Sequence, residues 1–217
     1  MISWTHITQF GDVTITMLAA FAIAAWLYIE DERRLALWWS GLFSAGLGIV
    51  VATKMAFIGW GIGIRAIDFT GFSGHAMRAT AVIPVLFYLM LQRAPFTLRL
   101  AGVLAGFAAA ALISLSRVVL HAHSVSESVA GILLGAAVSI AFIRVAAGTL
   151  RKEVFNPLRI ALAVLALLPA PYLQPAPTQE WQTDVSLFFS GHDKPYMRTA
   201  CKLPAAESPR TELRSCS

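Results

Sequence analysis

The sequence predicts an all-α fold, an integral membrane bundle of about six transmembrane helices. Three observations carry that expectation. Only 13% of the 217 residues are charged while 57% are hydrophobic, against ~25% charged in an ordinary soluble domain, and mean hydropathy is +0.68. A chain this poor in charge cannot cover a folded surface with water-compatible groups, so its surface faces a bilayer. Six stretches approach or reach the ~20 apolar residues that a spanning helix needs: residues 13–29, 35–59, 76–91, 98–120, 128–147 and 158–173. The connectors between them alternate in charge, as they do in a chain threaded back and forth.

In chain order, the first stretch follows Asp12. The residues before it lack the basic leader of a cleavable signal peptide, so it is expected to stay as a helix. The second has room to run toward Ile64. The third is short, and the sixth is short with Pro169 and Pro171 near its end. Small residues are dense at 108–111 and at Gly135-Ala136-Ala137, where helices in a membrane can approach closely. Residues 1–174 then form one six-helix transmembrane domain. Residues 175–217 form a polar, Pro-rich tail without a spanning run, expected to be partly disordered, with Trp181 and Phe188-Phe189 hinting at contact with the membrane interface.

The net charge is +5, but the basic residues are scattered between apolar runs with no block and no interleaved aromatic pattern, so no nucleic-acid partner is expected. They read instead as topology signals. Connectors 30–34, 92–99 and 151–159 hold most of the lysine and arginine outside the tail, which makes their side cytoplasmic. The N-terminus, residues 54–75 and 117–127 and the tail then share the opposite side. For a bacterial cell this describes a multi-pass inner-membrane protein with both termini periplasmic. Cys201 and Cys216 both lie in the tail, where they pair in an oxidising compartment or stand as free thiols.

Ionisable groups inside or at the rim of a span are expensive and usually functional. Here they are Lys54, Arg65, Asp68, His75, Arg78, Arg117, His121, His123 and Glu127, and the helix count puts all of them on the non-cytoplasmic side. In the first loop, Ser73-Gly74-His75 opens the third stretch. Gly74 permits close approach of backbone to a ligand, amides at a helix start favour an anion, and Ser73 is equally well placed as a plain helix cap. In the second loop, His123 and Glu127 stand four apart and so can share a helix face. A carboxylate beside an imidazole fixes its tautomer and leaves the other ring nitrogen free for nucleophilic attack. Ser124 and Glu127 also have capping-box spacing, and His121, His123 and Glu127 offer zinc-type donors, although Arg117 and Lys54 would repel a cation. Lys54 has snorkelling as its plain alternative, and Arg65 has a local pair with Asp68.

Taken together, Lys54, Phe72-Ser73-Gly74-His75 and Ser116-Arg117, five residues, His123, three residues and Glu127 resemble the type 2 phosphatidic acid phosphatase (PAP2) superfamily, which includes the vanadium haloperoxidases. The resemblance spans residues 54–131. Three positions depart from the family pattern. Glu127 replaces an aspartate, Phe72 replaces a proline, and Gly61 stands where the first motif has arginine, with Arg65 the nearest arginine after it. The resemblance implies a PAP2-like helical bundle and a phosphatase acting on a lipid phosphate or pyrophosphate. It implies His123 as nucleophile, Glu127 as its orienting carboxylate, and His75 as general acid. It also implies phosphate binding by Lys54, Ser73, Gly74 and Arg117, with Arg65 as a candidate substitute for the missing arginine, and no metal or other cofactor. A non-catalytic lipid-phosphate binder on the same scaffold and an ion-coupled carrier are the competing readings. The carrier would need ionisable groups near mid-span, whereas these gather at one face.

Overall fold

The computed structural model describes residues 4–9, 11–149 and 178–197. The sixth predicted stretch (158–173), the connector 151–159 and both cysteines lie outside the described residues. Those described form seven α-helices and no strand beyond an isolated bridge between Ile64 and Phe69. They are α1 (Trp4–Gln9), α2 (Val13–Ile29), α3 (Arg33–Trp60), α4 (Gly74–Met90), α5 (Phe96–Val119), α6 (Val125–Thr149) and α7 (Thr178–Ser190). The all-α expectation therefore holds. Helices α3, α5 and α6 are each long and apolar enough to cross a membrane. Helices α2 and α4, with 17 residues each, sit at the lower limit for a span. Large apolar side chains such as Phe21, Leu37, Leu104, Leu112 and Leu133 lie exposed on the outer faces of α2, α3, α5 and α6. In water such a surface would aggregate; in a membrane protein it is the lipid belt.

Helix ends follow local chemistry. Asp12 caps α2 by accepting from the Thr14 amide at 2.8 Å. Helix α3 stops at Gly61, whose φ of +69° closes the last turn and lets its amide return to the Phe57 carbonyl at 2.8 Å, a common glycine-ended C-terminus. Helix α4 begins at Gly74, two residues before the predicted start, and α6 at Val125, three before. In both cases the first turn is built from polar and small residues that an apolar run does not include.

The core forms on two sides of α4. On one side Ile23 and Leu27 of α2, Trp39 and Phe43 of α3, and Phe142 of α6 pack with Val82, Val85 and Leu89. The Trp39 indole donates to the Ala20 carbonyl at 2.8 Å, which satisfies its buried N–H. On the other side α5 crosses α4 at Gly106, where an added Cβ would lie 2.8 Å from the Pro84 Cα. Helix α6 meets α4 backbone to backbone through Gly131 and Gly135, one turn apart. A Cβ on Gly131 would come within 2.6 Å of the Ser73 carbonyl oxygen, and one on Gly135 within 2.8 Å of Thr80 Cβ. Lipid supplies no hydrophobic drive for helix association, so close packing at small residues does that work.

Two elements depart from the sequence expectation. The start of the tail is a helix, α7, packed on the end of α3: Ser186 is fully buried, and a Cβ on Gly59 would lie 3.1 Å from its carbonyl oxygen. His192 Nδ1 bonds the Gly59 carbonyl at 2.8 Å and the Tyr196 amide the Ile58 carbonyl at 3.0 Å. The second Ser-Gly-His, residues 190–192, thus fastens α7 to α3. The short α1, ahead of the first predicted span, packs against α5 through Ile7.

The α4–α6 seam gives a direct test. Gly135→Ala is expected to destabilise the protein by about 1–3 kcal/mol, the usual effect of overpacking. Gly48→Ala, where a Cβ meets nothing within 4 Å, is expected to be neutral or slightly stabilising through helix propensity. Unfolding midpoints in one detergent compare the two.

Candidate active site

The site is built where two loops meet at one end of the bundle. The loop from α3 to α4 folds into a tight hairpin, with reciprocal Ile64–Phe69 amide bonds of 2.8 and 3.0 Å. The loop from α5 to α6 turns sharply at His121, whose φ is +54°, and the amides of Ala122 and His123 both return to the Arg117 carbonyl, at 3.0 and 3.3 Å. That turn, rather than a shared helix, places His123. The residue lies ahead of α6, and Ser124 caps α6 by accepting from the Glu127 amide at 3.3 Å.

Glu127 joins the loops. Only 1% of it is exposed. One carboxylate oxygen accepts from the Thr70 amide at 2.9 Å and from the Thr70 hydroxyl; the other meets His123 Nδ1 at 2.7 Å and accepts from the Ser124 amide at 3.3 Å. Its main-chain carbonyl takes the Ser73 amide at 3.1 Å. The Glu127 side chain thus takes part in the capping geometry of α6 and contacts His123 at the same time. With Nδ1 committed to the carboxylate, His123 Nε2 has no protein partner among the described residues. His123 lines a pocket of about 190 Å³ with Lys54, Phe57, Thr70, Glu127 and Gln182. Burial, and then the charges of Lys54 and Arg117, hold the imidazole below its ordinary value of 6.5 against the opposing pull of Glu127. That shift favours the neutral imidazole, the form whose Nε2 carries a lone pair.

The second histidine stands close by. His75, second residue of α4, lies within electrostatic reach of Arg117, Arg78, His123 and Lys54. Ser73 caps α4 by accepting from the Ala76 amide at 3.4 Å, and the amides of Gly74 and His75 are left as open donors of the first turn. Arg117 Nη1 donates to Thr8 Oγ1 at 3.3 Å, while its buried Nε has no partner. The chain thus brings His75, His123, Glu127, Lys54, Ser73, Gly74 and Arg117 to one end of the bundle.

Arg65 does not join them. It is exposed on the 3₁₀ turn Arg65–Ile67, after α3 has already ended at Gly61. His121 is exposed as well, and the described residues contain no group of three His, Cys, Asp or Glu placed to hold a metal ion. Sequence reasoning gave no role to Thr70, Gln182, Thr8 or Asp12. Thr70, Gln182 and Thr8 reach the site through contacts between distant segments and carry no local signal, and Asp12, the cap of α2, lies within electrostatic reach of Arg78 and Arg117. Arg78 did carry a local signal, a charge near the start of an apolar helix.

Comparison with known proteins agrees with this geometry. Residues 61–150 match the PAP2 superfamily. The chain is also 39% identical over 206 residues to an uncharacterized 22.5 kDa protein in the cps region of Klebsiella pneumoniae, a match covering 91% of this chain and 96% of that one. No solved structure matches significantly. The matched region holds both loops' histidines and the carboxylate between them, and the chain belongs to the PAP2 superfamily.

Proposed function

We propose that this membrane protein is a phosphatase that hydrolyses a lipid phosphate or pyrophosphate, of the phosphatidic acid, phosphatidylglycerol phosphate, undecaprenyl pyrophosphate or lipid A type, on the periplasmic face of the inner membrane. The observation that carries the reading is the bond between His123 Nδ1 and Glu127 at 2.7 Å, which leaves Nε2 free in a pocket shared with Lys54. Nε2 attacks phosphorus and the bond to the lipid oxygen breaks. His75 donates a proton to that leaving oxygen. Water then attacks the phosphohistidine, His75 takes its proton, and inorganic phosphate leaves with His123 restored. Lys54, Arg117, the Ser73 hydroxyl and the Gly74 amide hold the phosphoryl oxygens. Such positioning and charge stabilisation supply most of the rate in phosphoryl transfer. The bound phosphoryl group brings the negative charge that a protonated His75 needs among these cations. Phe57 and Ile58 form an apolar wall of the pocket, suited to a headgroup whose chains stay in lipid.

The decisive experiment is phosphate release by the purified protein, in detergent with EDTA, from phosphatidic acid and from a polyprenyl pyrophosphate. Release is expected, and His123→Ala is expected to lower it about a thousandfold or more. No release from any candidate lipid would favour a binding protein on the same scaffold.

The acid limb of kcat/KM reports protonation of the free enzyme. Because His123 is held low, that limb is expected below pH 6.5. Glu127→Gln removes the charge and weakens the hydrogen bond that raise His123, so the limb should move further toward acid. The maximal rate should fall about a hundredfold or more through loss of the orienting contact. A limb that moves toward neutrality would contradict the assignment.

Orientation is tested with an impermeant thiol reagent on Cys201 and Cys216 after reduction, in cells with a permeabilised outer layer. Labelling without lysis is expected; labelling only after lysis would place the tail in the cytoplasm.

A further inference from the structure

Arg78 follows His75 by three residues, at the start of the second turn of α4, and only 7% of it is exposed. Its Nε donates to Thr16 Oγ1 on α2 at 3.0 Å, and the guanidinium rests against the start of α4, where a Cβ on Gly74 would lie 2.8 Å from Nη1. Among the described residues no carboxylate forms an ion pair with it, and neither η nitrogen has a protein acceptor. Asp12 is within electrostatic reach but beyond ion-pair distance, and it already accepts from the Thr14 amide. A buried guanidinium with open donors is strongly destabilising unless an anion completes it.

The neighbours identify that anion. Arg78 acts electrostatically on both His75 and Lys54, and Arg117, on the same side, has its own unpartnered Nε. Against these cations, the site's buried carboxylate, Glu127, is occupied by His123, Ser124 and Thr70. What remains open is a set of fixed donors around the α4 N-terminus, which suits a compact oxyanion carrying more than one charge. Position 61 cannot supply the arginine that the family pattern has there. It is a glycine in the left-handed conformation that ends α3, where an L side chain is strained, and Arg65 is exposed.

We propose that Arg78 binds the substrate phosphoryl group directly, its η nitrogens holding an oxygen beside His75. A guanidinium from α4 thereby takes over a contact that the α3 end does not provide. The assignment rests on the phosphatase reading only for the identity of the anion as a phosphoryl group.

The test uses the full-length protein in detergent, with inorganic phosphate as the binding probe and phosphatidic acid as the substrate. Arg78→Gln is expected to weaken phosphate binding at least about tenfold, with Arg78→Lys intermediate. Thr16→Val, which removes the Nε anchor while keeping the charge, is expected to raise KM for the lipid more than it lowers kcat. Unfolding midpoints report whether each variant is folded. Should Arg78→Gln fail to fold, Arg78→Lys and Thr16→Val decide, and unchanged phosphate affinity in both would overturn the assignment. A folded Arg78→Gln protein that binds phosphate like the wild type overturns it as well, whether or not the wild type hydrolyses lipid. Phosphate binding that is lost in Arg78→Gln, in a wild type that hydrolyses none of the candidate lipids, would leave the assignment standing and remove the enzymatic reading. A wild type that neither binds phosphate nor hydrolyses lipid would overturn both.

Discussion

The carboxylate of Glu127 holds the site together. A carboxylate buried this deeply costs several kcal/mol if left without donors, and the donors it receives come from both loops: the Thr70 amide and hydroxyl from one, His123 and the Ser124 amide from the other. None of these groups can shift far without unsatisfying the charge. A single buried anion therefore fixes the height of the α3–α4 loop, the entry of α6 and the orientation of an imidazole. The exchange of aspartate for glutamate, which in sequence looks like a defect, has a structural reading here. The longer side chain presents one oxygen to Thr70 on the far loop and the other to His123 and Ser124 on its own.

That polar joint sits on top of an apolar one. Gly131 and Gly135 let α6 lie against the backbone of α4, so the main-chain link between Ser73 and Glu127 continues a seam that runs down into the bundle. Glu127 and Gly131 are four apart, on one face of α6, and they address the start of α4 from its first turn and from the next. The geometry of the histidines is thus set by helix packing as much as by their own hydrogen bonds. Membrane helices associate through contacts of this kind because lipid tails offer no hydrophobic gradient between them.

Much of the fold was legible in the sequence for a physical reason: long apolar runs have few structural options in a bilayer. The stretch 13–29 matches α2 at both ends, and the other described spans differ from prediction by one to three residues at each end. The differences fall at Ser73-Gly74 and at 125–127, where caps are polar and hydropathy is blind to them. Helix α7 was not legible. Its burial depends on Gly59, a residue more than a hundred positions earlier that takes Ser186 against its backbone. The histidine pair was legible because its spacing is local on each side. Thr70 was not, since an unremarkable threonine becomes essential to Glu127 only after the two loops meet. Arg65 illustrates the opposite error: proximity in sequence to a vacant motif position says nothing about direction once Gly61 has ended the helix.

The charge distribution explains why such a site belongs at the rim of a bundle. Lys54, Arg78 and Arg117 each extend from a different helix, α3, α4 and α5, near one end. Deep in a span their desolvation would be prohibitive, and in open water their pull on a phosphoryl group would be screened. Near the end of the bundle, apolar walls such as Phe57 lower the local dielectric, and the proposed lipid headgroup would need to enter only that far. Like charges held this close repel one another, and an anion placed among them would relieve that repulsion. The transition state of phosphoryl transfer spreads its charge over several oxygens, so donors fixed around the group stabilise it without first reorganising. Three helices carrying one cation each form a more rigid cradle than one flexible loop carrying three, because each guanidinium or ammonium is held by the packing of its own helix.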